Sequence, residues 1–209
     1  MKYYRLSVFL WVITSPLFAQ SNVAIVPKSN TKSFIQKGRK IVSQSKGDLN
    51  KDGLPDWIIV TQDTVADTAP YRLQVFFTQP DGQQKLIVSS DKIIAPQFPN
   101  GKNGLRSDAG FESVTINNQV ITIKNQLTRG MFSHKFRYQH GNFELIGFKH
   151  SGSDGLGSMY NDDFNLSSGI RFYKEQRYDT GKIITNKKEK KLIRPLPKLQ
   201  DYVPFEKDL

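Results

Sequence analysis

The sequence contains no cysteine and only three histidines. The lack of cysteine excludes disulfides, thiol catalysis, thiolate zinc sites and iron–sulfur clusters. It does not exclude an oxidising compartment, since a chain of 209 residues can bury a sufficient core without disulfides. The histidines (His134, His140 and His150) have neither H-x-H nor H-E-x-x-H spacing. We therefore expect no histidine metal site, and we expect these side chains to be solvated near turns.

Long apolar runs are also absent after residue 20, so no segment there is expected to cross a bilayer. The first residues follow a different pattern. A basic start, Met1–Arg5, precedes the apolar run Leu6–Thr14, and Ala19 offers a small residue for cleavage. This order predicts a signal peptide over 1–19 and a periplasmic or secreted protein. The alternative is a retained membrane anchor, for which the apolar run is short.

Acidic residues are scarce: 19 stand against 30 lysines and arginines, for a net charge of +11. Removal of Lys2 and Arg5 with the signal peptide would leave +9. The segment Lys187–Arg194 is strongly basic, and three prolines follow it. We predict a basic, proline-containing C-terminal tail over 187–209, either solvated or able to meet nucleic acid, anionic lipid or acidic wall polymers. Nucleic acid is the least natural of these ligands for an exported protein.

Strand patterns fill most of the remaining chain. Trp57–Thr61 is an uninterrupted apolar run, which indicates a central strand covered on both faces. Paired strands around short turns predict hairpins at 71–89, 113–124, 132–148 and 170–186. Alternating aromatic side chains in these strands are expected to form the core. They are Tyr71, Phe76, Phe77, Phe132, Phe136, Tyr138, Phe143 and Phe148.

These elements predict one mainly β domain over 20–186, an antiparallel meander of hairpins forming a sandwich or curved sheet. Residues 90–110 are rich in Pro, Gly, Asn and Asp and are expected to form a long loop. Residues 151–158 are expected to form a flexible, glycine-rich loop. The pattern over 33–45 fits either a short helix or an irregular approach to a strand.

One polar loop carries a specific motif. Gly47–Asp56 contains the calcium pattern D-x-N-x-D-G-x-x-D, in which Gly53 permits a sharp turn. The candidate oxygen ligands are Asp48, Asn50, Asp52, the backbone carbonyl of Leu54, and Asp56. The position of the EF-hand glutamate is Ile59, inside the predicted strand, so this is expected to be a calcium loop between β elements. Bound Ca²⁺ would fix the loop and the strand after it; the alternative is an Asx-rich turn that binds no metal.

The loop and its surroundings resemble a group of uncharacterised bacterial exported proteins that carry a single FG-GAP or VCBS-like calcium loop. The similar stretches are Phe34–Gly38, Lys40–Ile41, Gly47–Gly53, Lys135–Gly147 and Asp163–Gly169. The resemblance implies an exported β domain with calcium and no known activity. Integrin-type propellers repeat such loops in every blade, whereas this chain has one, so a full propeller is not expected.

Catalytic motifs are absent from the sequence. No G-x-S-x-G elbow occurs, and the glycine-rich stretch 152–157 lacks the Lys-Ser/Thr of a phosphate loop. Asp162, Asp163 and Glu112 could form a glycosidase-like pair only if the fold brings them together.

We therefore expect an exported calcium-binding, non-enzymatic binding or interaction domain, for example an inhibitor or immunity protein of the cell envelope. Its partner would be an unknown protein or an acidic envelope polymer. The alternative is an envelope hydrolase acting on polysaccharide or peptidoglycan.

Overall fold

Twelve β-strands form the regular structure of the chain in a computed structural model that describes residues 25–26, 35–204 and 209. The predicted signal peptide, 1–19, lies outside these residues. Within the described part, no helix is long and apolar enough to cross a membrane. The strands are β1 (Ile25–Val26), β2 (Arg39–Gly47), β3 (Asp56–Asp63), β4 (Tyr71–Thr78), β5 (Gln84–Ser90), β6 (Gly110–Asn117), β7 (Val120–Leu127), β8 (Gly130–Gln139), β9 (Asn142–Ser153), β10 (Ser158–Asn165), β11 (Ile170–Arg177) and β12 (Ile183–Lys190).

The strands form two antiparallel sheets. The first has the order β1-β5-β4-β3-β2, and the second has the order β12-β11-β10-β9-β8-β7-β6. Within each sheet, strands adjacent in the chain pair with each other, except that the two-residue β1 pairs with the outer edge of β5 and not with β2. Residues 91–109 form the predicted long loop and join the two sheets. The predicted fold class, a mainly β antiparallel meander, is confirmed.

The two sheets share one hydrophobic core, as expected of a sandwich. Ile58, Ile59 and Val60 of β3 are all buried, so this strand is covered on both faces as its uninterrupted apolar run predicts. The predicted aromatic core is confirmed as well. Phe76, Phe77, Phe132, Phe136, Phe143 and Phe148 are buried, and Tyr71 and Tyr138 pack against the core.

The sheets also meet edge to edge where β2 lies beside β6. The backbone N–H of Val114 donates to Oγ of Ser43 at 3.3 Å, and that of Ile116 donates to Oγ of Ser45 at 2.9 Å. A Cβ on Gly47 would lie 2.7 Å from Cγ2 of Ile116, so this close approach depends on glycine. Serine hydroxyls thus satisfy backbone donors at the edge of the second sheet, where a further strand would otherwise be needed.

Two hairpin turns have the backbone angles expected of the tight turns that connect antiparallel strands. Asn118 and Gln119 have φ of 49° and 58°, and His140 and Gly141 have φ of 52° and 74°. Positive φ at both central residues is the geometry that matches the twist of the flanking strands. The hairpins predicted at 113–124 and 132–148 are confirmed.

Two strands were not resolved by the sequence pattern. Part of 33–45 is strand β2, in which half-buried and exposed residues alternate, and Ser43 and Ser45 on the half-buried face contact β6. The glycine-rich stretch predicted as a loop contracts to a turn over 154–157, and β10 begins at Ser158. The β10 sequence, SMYNDDFN, lacks the β-branched residues that usually mark a strand. Its pairing with β9 and β11 supplies the structure that local propensity does not.

The boundary predicted at 186/187 does not separate a tail from the domain. β12 continues to Lys190, and Leu196, Leu199 and Tyr202 belong to the core. The tail packs there because residues 142–146 of β9 have no partner in β10, whose pairing begins at Gly147. The backbone fills this gap through Leu145 N–H to Pro197 O at 2.8 Å and Leu199 N–H to Phe143 O at 2.9 Å.

Candidate calcium loop

The candidate loop connects β2 to β3 at the end of the first sheet. It begins directly after Gly47 and ends at Asp56, which is the first residue of β3. Leu49 is buried in the core and anchors the loop from inside, whereas Lys51, Asp52 and Gly53 are exposed. The loop is therefore held at both ends and open to solvent at its tip.

Asp48 closes the first turn of the loop. Its Oδ1 accepts a hydrogen bond from the backbone N–H of Lys51 at 2.7 Å, and its Oδ2 accepts one from Gly53 at 3.1 Å. Lys51 and Gly53 both have positive φ, 69° and 81°. These two left-handed residues turn their N–H groups toward one carboxylate, and glycine is favoured at 53 because it adopts positive φ without strain.

Asn50 and Asp52 contact each other. Nδ2 of Asn50 donates to Oδ2 of Asp52 at 2.7 Å, and the backbone N–H of Asp52 donates to Oδ1 of Asn50 at 3.0 Å. Oδ1 of Asp52 also accepts the backbone N–H of Leu54 at 2.8 Å. Two of the predicted ligand side chains are thus brought together, with their oxygens engaged in loop hydrogen bonds.

Asp56 is the buried end of the loop, with no exposed surface. Its Oδ2 accepts the backbone N–H of Leu49 at 2.8 Å, and its Oδ1 accepts that of Thr78 on β4 at 3.0 Å. Burial raises the pKa of Asp56 above its ordinary value, and the negative charges of Asp52 and Asp48 raise it further, although the two amide hydrogen bonds act in the opposite direction. The carboxylate is hydrogen-bonded but its charge is not neutralised.

The donor set fits calcium in its chemistry. Carboxylate, amide and carbonyl oxygens are the ligands of a hard cation, and the loop offers all three types. Across residues 35–204, Asp48, Asp52 and Asp56 form no ion pair with lysine or arginine. Nevertheless, no three acidic or histidine side chains in the described part stand in a metal-holding group. Calcium would have to replace the contact between Asn50 and Asp52.

The acids considered for hydrolysis do not face one another. Asp162 points into the protein and pairs with Arg171, at 2.8 Å from Nε and 2.5 Å from Nη2. Asp163 lies on the opposite face of β10 and pairs with Lys149 at 2.6 Å. Glu112 is exposed on β6. Each of the two adjacent aspartates thus has its own cationic partner.

The histidines differ from the sequence expectation. His134 is buried among aromatic rings, and its Nε2 lies 3.0 Å from the hydroxyl of Tyr202. Burial lowers the pKa of His134 to about 3, so the ring is neutral. His150 is partly buried and lies 3.0 Å from the hydroxyl of Tyr160, while His140 is exposed in its turn. The expectation of a solvated histidine is wrong for His134, because β8 alternation places it on the core face.

Sequence reasoning also missed the outer face of the second sheet. A groove there is lined by Lys135, Arg137 and Lys149 on two adjacent strands. No motif marks these residues, since they come together only through the register of β8 and β9. The one sequence signal for this face was the alternation of apolar and polar residues in 130–153.

Comparison of the chain with protein-family models, curated proteins and solved structures gives no match.

Proposed function

We propose that this chain is an exported, calcium-binding interaction domain without catalytic activity. The observation that carries the proposal is the environment of Asp56, a fully buried carboxylate near two further acids with no cationic side chain paired to it in the described residues. A buried charge without a counter-charge destabilises a fold. A divalent cation at this loop would supply the missing positive charge and fix the connection between β2 and β3.

The non-enzymatic part of the proposal is supported by the pairing of the candidate acids. Asp162 and Asp163 point to opposite faces of β10 and each pairs with a cation, which does not favour a shared catalytic cleft. The role would be recognition of an unknown protein or an acidic envelope polymer in the periplasm or outside the cell. An inhibitor or immunity protein of the cell envelope is one form of this role.

Calcium titration of the chain lacking residues 1–19 tests the metal site. We expect binding heat in calorimetry and a melting temperature that rises with Ca²⁺ and falls when EGTA is added. Asp52→Asn should abolish both responses. Asp81→Asn is the matched control, because Asp81 also accepts a backbone hydrogen bond in an exposed turn, from Gln83 at 2.8 Å, but lies outside the loop.

A chain that gives no binding heat and melts at the same temperature in Ca²⁺ and EGTA would contradict the calcium proposal. An equal loss of response in Asp52→Asn and Asp81→Asn would place the bound calcium elsewhere. Export is tested separately by expressing the full chain and sequencing the mature N-terminus. We expect it to begin at Gln20 in the periplasm or medium, and a full-length chain in the cytoplasm would contradict export.

A further inference from the structure

The outer face of the second sheet aligns its side chains in rows across the strands. Strand register sets these rows, because residues opposite each other on neighbouring strands point to the same side. One row contains Lys188, Phe172, Asp163, Lys149, Ser133 and Lys124, and the next contains Ile170, Asn165, Gly147, Lys135, Thr122 and Thr115. Each row crosses six strands, a distance of roughly 24 Å at about 4.8 Å per strand.

A groove of about 470 Å³ lies in the middle of this face. Its cations are Lys135, Arg137 and Lys149, and Asp163 is the one acid among the described residues that line it. Amide and hydroxyl groups complete the polar lining. They belong to Asn117, Asn118, Thr122, Asn165 and Ser167.

Gly147 leaves room at the floor of the groove. A Cβ at this position would lie 3.5 Å from Cβ and Cδ of Lys135, its partner on β8. The aliphatic part of Lys135 therefore passes over a residue without a side chain, and its ammonium group is carried outward toward the groove.

Lys149 is held by an ion pair that a ligand can replace. Its Nζ lies 2.6 Å from Oδ2 of Asp163, and both side chains are about half exposed, at 56% and 50%. Exposed ion pairs of this kind contribute little to stability. An incoming anion can compete for Lys149, and the charge of Asp163 opposes that anion.

Positive charge continues along the face beyond the groove. Lys124 lies on β7, Lys174 on β11, and Lys188 and Lys190 on β12, and all four are exposed. Lys188 lies over the ring of Phe172 at 5.4 Å. The face thus presents a band of cations that is longer than a small molecule.

From this band we infer that the outer face of the second sheet binds a linear polysaccharide that carries carboxylate groups. The inference rests on the proposed binding role and names the partner class; it does not require calcium. Carboxylates along the polymer meet Lys135, Arg137 and Lys149, and sugar hydroxyls meet the amide and hydroxyl side chains between them.

The composition of the groove favours this ligand over single-stranded nucleic acid and over protein. Protein interfaces are depleted in lysine and enriched in aromatic residues, whereas the groove has lysine and no exposed aromatic among its described lining. Its two aromatic side chains, Phe148 and Phe164, are buried, so they offer no platform for base stacking by single-stranded nucleic acid.

Binding to carboxymethyl cellulose in EGTA tests the inference, with hydroxyethyl cellulose as the uncharged polymer of the same backbone. We expect binding to the carboxylated polymer alone, and its affinity should fall with added salt. The variant Lys135→Gln/Arg137→Gln should bind about tenfold more weakly, since two charge contacts with the polymer are lost. Lys40→Gln/Lys92→Gln is the control, because both lysines are exposed outside the groove and the net charge falls equally.

Asp163→Asn gives a measurement that does not depend on loss of binding. Removing this carboxylate frees Lys149 and eliminates repulsion, so we expect affinity to rise a few-fold, about twofold to fivefold. This variant also guards against a groove variant that fails to fold. Calcium-dependent melting of each variant should match the parent chain, which separates failure of this inference from failure of the calcium site.

Several outcomes overturn the inference. Equal weakening in the groove and control variants would mean that binding follows net charge. Tighter binding to oligothymidylate or to anionic phosphatidylglycerol vesicles would assign the face to nucleic acid or lipid. Absence of binding to carboxymethyl cellulose at low salt would contradict the proposed ligand. Unchanged affinity in Asp163→Asn would contradict the proposed contact of the ligand with Lys149.

Discussion

Two buried aspartates in this protein are stabilised in different ways. Asp162 on β10 accepts hydrogen bonds from Nε and Nη2 of Arg171, so its charge is neutralised within the domain. Asp56 at the start of β3 receives two backbone N–H groups and has Asp48 and Asp52 nearby. The difference shows that a buried carboxylate can accept hydrogen bonds at both oxygens without a cationic side-chain partner, and under our calcium proposal the bound ion would supply that charge at Asp56.

The largest expected effect comes from removing the partner of Asp162. Arg171→Met leaves that carboxylate buried without its cation, and we expect a loss of about 3–5 kcal/mol in the free energy of unfolding, measured by urea denaturation at pH 7. The double variant Asp162→Asn/Arg171→Met should lose less, because no charge is stranded. Equal losses in the single and double variants would show that Arg171 acts through its other contacts, such as Leu209.

The second largest effect is expected when calcium supplies a positive charge near Asp56. At a calcium concentration about one hundred times the dissociation constant, we expect a gain of about 2.7 kcal/mol in the free energy of unfolding at pH 7. Because the pKa of Asp56 is raised, protons compete with calcium at a higher pH than for an ordinary aspartate. The calcium gain should therefore be complete near neutrality and disappear as pH falls through that raised pKa.

Without calcium, the pH dependence of the contribution of Asp56 to stability has the opposite sign. A carboxyl whose pKa is higher in the folded state than in the unfolded state contributes stability at low pH, and this contribution is lost as pH rises through its folded pKa. In EGTA, Asp56 should therefore make the domain less stable at pH 7 than its protonated form would. A calcium gain of the same size at pH 4 and pH 7, in paired urea titrations, would be inconsistent with Asp56 as a ligand.

His134 is a third buried titratable side chain, and it avoids a buried charge by remaining neutral. Its pKa of about 3 lies below the unfolded value of 6.5, so the unfolded chain takes up a proton first as the solution is acidified. Stability should fall from pH 6.5 toward pH 3 by as much as about 1.4 kcal/mol per pH unit from this group. His134→Phe should flatten the dependence in urea denaturations across this pH range, and a dependence equal to that of the parent chain would contradict the buried neutral ring.

The smallest effect concerns the loop backbone. Gly53 and Gly141 both have positive φ, 81° and 74°, and a Cβ at either position would meet no atom within 4 Å. Alanine at each position should therefore cost about 1 kcal/mol through backbone strain alone. In calcium, Gly53→Ala should lose more stability than Gly141→Ala. Thermal melts with and without EGTA measure this difference, and equal losses would contradict the prediction.

The sequence predicted most of the fold because hairpins are local. The hairpin at 113–124 and the apolar run at β3 carry their own signals, and the structure confirms both, although the turn residues are Asn118 and Gln119 and not the predicted pair Asn117-Asn118. β10 was missed because its sequence lacks β-branched residues. The tail was missed because its burial depends on a distant partner: Leu196 packs where β10 leaves part of β9 uncovered.

In the candidate sites too, some features are predicted by local sequence and others depend on strand pairing. Asp48, Asn50 and Asp52 fall within five residues, so their shared loop is visible in the sequence, and Gly53 reveals the turn. The contact of Asp56 with Thr78 depends on the pairing of β3 with β4, and no local pattern predicts it. The groove at Lys135 and Lys149 depends on a register shift between β8 and β9, which composition cannot indicate.

The contribution of residues 196–202 to the core has a consequence for the order of folding. In the folded domain they cover the part of β9 that would otherwise present unpaired backbone groups. The hairpins can pair early because their contacts are local, whereas residues 196–202 must close over β9 from a distant point in the chain. The domain should thus stay loosely assembled until this segment docks, and it should become protease-resistant in that late step.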